Sequence, residues 1–77
     1  MADLSERLAQ LEARVLDLEA RLAELKQDHA DLDAAVQALS LSPLPDMMLI
    51  ARLKRKKLSL KDEISRIEDQ LTPDIIA

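Results

Sequence analysis

Apolar residues recur through the first half of the chain at alternating steps of four and three: Leu4, Leu8, Leu11, Val15, Leu18, Leu22, Leu25, His29, Leu32, Val36 and Leu39. Such spacing keeps one stripe of a helix facing a partner, so it predicts a coiled-coil helix over residues 3–40. One set of stripe positions is all leucine (Leu4, Leu11, Leu18, Leu25, Leu32, Leu39). The other set is Leu8, Val15, Leu22, His29 and Val36, and only His29 breaks its apolar character. Asp3 followed by Glu6 reads as a capping box for the helix's free N–H groups. The pattern stops at Ser40-Leu41-Ser42-Pro43-Leu44-Pro45-Asp46, where each proline removes an N–H and biases the residue before it away from helix. A second stripe then runs Ile50, Leu53, Lys57, Leu60, Ile64, Ile67 and Leu71, up to Thr72-Pro73. It predicts a helix over 46–71, with a frayed tail over 72–77.

A connection as short as 41–46 makes the two helices antiparallel neighbours. Folding the chain about Pro43 brings the stripes into register: Val36 faces Ile50, Leu32 faces Leu53, Leu25 faces Leu60, Leu22 faces Ile64, Leu18 faces Ile67 and Val15 faces Leu71. The same register sets His29 opposite Lys57, so the one polar residue of each stripe falls in a shared layer. The expected fold is therefore all-α: a single domain over 1–77, an antiparallel two-helix coiled-coil hairpin with an N-terminal overhang. At 1.5 Å per residue the first helix is about 57 Å long and the second about 39 Å. Leu4, Leu8 and Leu11 are left without a partner inside the chain. Exposed leucine stripes mark association surfaces, so these three are the expected oligomerisation residues, giving a dimer or a higher helical bundle. In a parallel pair of first helices, Arg7 would meet Glu12 and Arg14 would meet Glu19. Further along, Arg21 would meet Lys26 and Asp28 would meet Asp33, so a parallel coil would be confined to the N-terminal third. An antiparallel overlap of two arms is the other arrangement the stripe allows. Leu16, Leu49 and Leu58, off the stripe, would suit a broader four-helix core.

Composition sharpens this picture. The chain has no Phe, Trp, Tyr, Cys or Gly. Without cysteine or repeated histidine it has no disulfide and no multi-histidine metal site, and without glycine it has no glycine-rich phosphate loop. A core of this size seldom supplies more than a few kcal/mol, which adds to the case for self-association. No apolar run approaches a membrane span, and the start lacks the basic-then-apolar pattern of a secretory signal, so the expected location is cytoplasmic.

Residues 29–68 resemble the small bacterial YdcH-like family, whose domain is of unknown function. The resemblance rests on His29-Ala30-Asp31-Leu32-Asp33, the Pro45-Asp46 turn, and Leu53-Lys54-Arg55-Lys56-Lys57-Leu58-Ser59-Leu60-Lys61-Asp62-Glu63-Ile64. Residues 1–28 have a likeness to the SlyX-like small proteins. The family resemblance implies a bacterial helical hairpin and supplies no established chemistry. The leucine arm extends beyond the shortest family members.

Three clusters are candidate sites. His29, Asp33, Lys57 and Lys61 would form a polar layer across the seam, since Asp33 and Lys61 each lie one turn beyond a layer residue. Its simplest role is to fix register at some cost in stability; a pH-sensitive layer is the sharper reading. Arg52, Lys54, Arg55, Lys56 and Lys61 form a basic patch on a chain of net charge −4. The patch would pair with Asp28, Asp31 or Asp33 of the acidic first helix, or bind phosphate or an acidic protein. Met47, Met48 and Leu49 make an apolar tip beside the turn, which would pack under it or grip another protein. The serines have no base and oriented third group in a cleft, so catalysis is not expected, and neither is a cofactor or a small-molecule substrate. The expected function is a non-enzymatic interaction module that self-associates and meets a protein partner. A nucleic-acid-associated protein using the 52–61 patch is the alternative.

Overall fold

The structure, a computed structural model, describes residues 3–72. Two helices account for nearly all of it: α1, Leu4–Ser40, and α2, Met47–Leu71. They fold back on each other as an antiparallel hairpin within a body 63 × 27 × 16 Å. The frayed tail expected over 72–77 lies, beyond Thr72, outside the described residues.

Both helices start on an aspartate. Asp3 is extended, and its Oδ1 accepts the Glu6 N–H at 2.8 Å. Asp46 is likewise extended and accepts the Leu49 N–H at 3.0 Å. Each carboxylate satisfies an N–H that has no carbonyl four residues back, and its charge suits the positive end of the helix dipole. Asp46 thus stands just outside α2 as its cap, and Met47 is the first helical residue.

α1 ends without the left-handed residue that glycine normally supplies, and no described residue has positive φ. Instead the Leu41 N–H is shared between the carbonyls of Gln37 and Ala38, both at 3.3 Å, and the Ser42 N–H reaches Leu39 O at 3.2 Å. The Ser40 hydroxyl donates back to Val36 O at 2.7 Å. Pro43 and Pro45 then prevent helical continuation.

The buried side chains are Leu25, which is fully enclosed, and Val36, Ile50 and Ile67, all on the predicted stripes. Ion pairs join the two helices along both flanks. Arg21 and Glu63 meet at 3.6 Å on one flank of the hairpin. Lys26 and Glu68 meet at 3.5 Å on the other flank. These pairs are half-exposed and contribute little energy each, and their long side chains reach across several positions, so they do not single out one register.

Cover of the α1 stripe fades towards its N-terminus. Exposure runs from 1 % at Leu25 to 43 % at Val15, 59 % at Leu11, 58 % at Leu8 and 75 % at Leu4. The hairpin therefore carries an uncovered N-terminal overhang, because α2 has 25 residues against the 37 of α1.

Candidate functional site

Lys57, Asp33 and His29 lie midway along the hairpin. Lys57 occupies a stripe position of α2, where an ammonium in the apolar seam would be poorly hydrated. Its Nζ donates to Asp33 Oδ1 at 2.9 Å, an ion pair and hydrogen bond in one. The other Asp33 oxygen accepts from Gln37 Nε2 at 3.3 Å, so both carboxylate oxygens are engaged. The Lys57 bond and charge, with a smaller contribution from His29, hold the Asp33 carboxyl below its ordinary value of 3.8. His29 is half-buried. The structure thus joins Asp33 to Lys57 and sets His29, one turn earlier on α1, near enough to act on Asp33. Lys61 is exposed and forms no ion pair among the described residues.

The basic patch is on the surface throughout. Arg52, Lys54, Arg55, Lys56 and Lys61 are all exposed, and none forms an ion pair among the described residues. The acidic first helix gives up Asp33 to Lys57, which lies on the stripe, while Asp31 accepts instead from Gln27 at 2.9 Å. Sequence position placed acid and base on facing helices but could not choose the partners, since long side chains select among several neighbours by reach.

Beside the layer, Asp28, Asp31, Leu32, Lys56, Ser59 and Leu60 line a shallow groove of about 490 Å³. Sequence reasoning missed it. The available signal was the short Ser59 and the two aspartates near Leu32 and Leu60, which leave that edge of the seam open. Among the described residues no three His, Cys, Asp or Glu side chains gather where a metal could sit. No helix of the described residues is long and apolar enough to cross a membrane.

At the turn, Met47 and Met48 are exposed and Leu49 is half-buried. Leu41 and Leu44 are more exposed still and enlarge this apolar end. They escaped the sequence reading because a turn has no period to flag them. At the opposite end, Leu8, Leu11, Glu12, Val15 and Leu16 line an apolar groove of about 380 Å³. Leu16 widens the arm's stripe on its Glu12 side.

Fold and surface together define a small helical-hairpin protein with a leucine arm at one end and an apolar turn at the other. Residues 22–68 match the family described as Protein of unknown function (DUF465), and the chain belongs to that family. The matched segment spans the hairpin and stops short of the arm. No curated protein and no solved structure matches the chain.

Proposed function

We propose that this chain is a non-enzymatic structural and interaction module that self-associates through its N-terminal arm and presents its other surfaces to a protein partner. The observation that carries this reading is the row Leu4, Leu8 and Leu11, each more than half exposed at regular helical spacing. A helix ordinarily buries such a row, and on the order of 25 cal/mol is gained per Å² of apolar surface removed from water. Light scattering across a concentration series tests it. The expected result is a species heavier than the 8.6 kDa chain, growing with concentration. A fully helical monomer at every concentration would exclude self-association by the arm.

A second reading has its own observation. Arg52, Lys54, Arg55 and Lys56 crowd one turn of α2, exposed and free of ion pairs among the described residues. Unneutralised basic clusters attract phosphate, and duplex binding would weaken with salt at a log–log slope of about −0.9 per phosphate contact. The acidic total charge and absence of aromatic residues for base stacking count against it. A gel-shift at low salt with no retention of RNA or DNA would dispose of it.

A further inference from the structure

We propose that the arm takes a second copy of this chain in one orientation only, parallel and in register over residues 4–15. This deepens the self-association reading and rests on it.

The inference comes from the charges beside the stripe. One flank carries Arg7, Arg14 and Arg21; the other carries Ser5, Glu12 and Glu19. When two such helices run parallel, opposite flanks meet. Arg7 then faces the second copy's Glu12, and Arg14 faces its Glu19. Two-fold symmetry repeats each pair, and no like charges meet. When the helices run antiparallel, each flank meets its own kind. Arginine then opposes arginine and glutamate opposes glutamate, and sliding by whole heptads does not help, because each flank has one sign of charge. Leucine at 4 and 11 with Leu8 and the β-branched Val15 in the alternate set is compatible with two strands.

The structure supplies the other half of the argument, which is where the coil must end. Arg7, Glu12, Arg14 and Glu19 form no ion pair among the described residues, so they are available. Arg21 is held by Glu24 at 3.4 Å and by Glu63 of α2 at 3.6 Å, and Lys26 is held by Glu68. Within the hairpin α2 also covers the stripe, and Leu25 is completely buried. The like-charge contacts that a longer parallel coil would bring, Arg21 on Lys26 and Asp28 on Asp33, therefore fall where α2 already occupies the face. Twelve residues are too few to hold an isolated helix in water. Here they are the first three turns of a 37-residue helix anchored by the hairpin, so much of the ordering is done before the second copy arrives.

The chain contains no cysteine, so single-cysteine variants of the full chain report orientation directly. A disulfide requires Cα atoms within about 7 Å. Leu11→Cys should cross-link to itself under mild oxidation, and Ala13→Cys, on the outward face, should not. A mixture of Leu4→Cys and Val15→Cys should give no mixed cross-link, which an antiparallel pair would form. Independently, Arg7→Glu should weaken the dimer roughly three- to tenfold in sedimentation equilibrium, and adding Glu12→Arg should restore it. Tightening by Arg7→Glu, or a mixed 4–15 cross-link, would overturn the parallel orientation while leaving self-association standing. A monomer at every concentration would overturn both.

Discussion

The Lys57 ammonium meets the Asp33 carboxylate at 2.9 Å, reaching one helical turn past His29, the residue that shares its layer in the predicted register. The lysine stem can lie along the apolar seam while its charge leaves the seam for the flank. This bond ties the two helices together across 24 residues of sequence.

It also makes stability depend on pH. The Asp33 pKa is lowered in the folded chain by Lys57. Its contribution is complete above the ordinary carboxylate value of 3.8 and is lost as pH falls through the lower folded value. Urea midpoints should therefore drop on acidification below about pH 4. Asp33→Asn should remove part of that dependence. An unchanged acid profile in the variant would mean that other carboxylates carry all of it.

Replacing the layer by hydrocarbon should act oppositely on stability and on specificity. His29→Leu with Lys57→Leu makes the seam continuous and should raise the thermal midpoint, since apolar side chains at these half-buried stripe positions remove more hydrocarbon surface from water. The same variant should populate more than one oligomeric or register state, visible as heterogeneity in sedimentation. A single, unchanged species would show that the layer does not choose the pairing.

Truncating the stripe should cost very different amounts at its two ends. Leu25→Ala removes a fully buried side chain and should destabilise by about 2–5 kcal/mol. Leu4→Ala, at 75 % exposure, should cost within about 0.5 kcal/mol of zero under dilute, monomeric conditions. Urea denaturation at low concentration measures both.

Leu8→Glu places a charge in the middle of the arm. It should abolish association in light scattering while circular dichroism still reports a helical chain. Complete loss of helix would show that the hairpin depends on the arm for its own stability.

Asp46→Ala should destabilise the hairpin by about 1 kcal/mol, because the Leu49 N–H loses its acceptor where the chain re-enters helix. Asp46→Asn keeps the acceptor and should recover most of the loss.

The architecture was legible because one physical signal runs unbroken through each helix. The Leu4-to-Leu39 spacing and the Ile50-to-Leu71 spacing each specify a face, and two prolines leave one place to turn. The buried residues Leu25, Val36, Ile50 and Ile67 are all on those faces. Ionic partners were less legible. Heptad position says that Asp33 and Lys57 lie near the seam, but the choice of Asp33 by Lys57, and the absence of ion pairs at Lys54 and Lys56 among the described residues, depends on side-chain reach. The exposed Leu41 and Leu44 were invisible for a different reason: outside a periodic element, nothing in the residue order says which way a side chain faces.

The arm and the proline turn occupy opposite ends of a body 63 Å long. Whatever joins two arms therefore dictates where the turns go. Side-by-side union sends both turns forward like the tines of a fork, carrying two copies of Leu41, Leu44, Met47 and Met48 on one front. A target that repeats its own binding spot would be gripped twice, the second grip drawing on a local rather than a bulk concentration. A solitary target would gain nothing. The valency of the target, more than the strength of a single grip, would then set what such a fork retains.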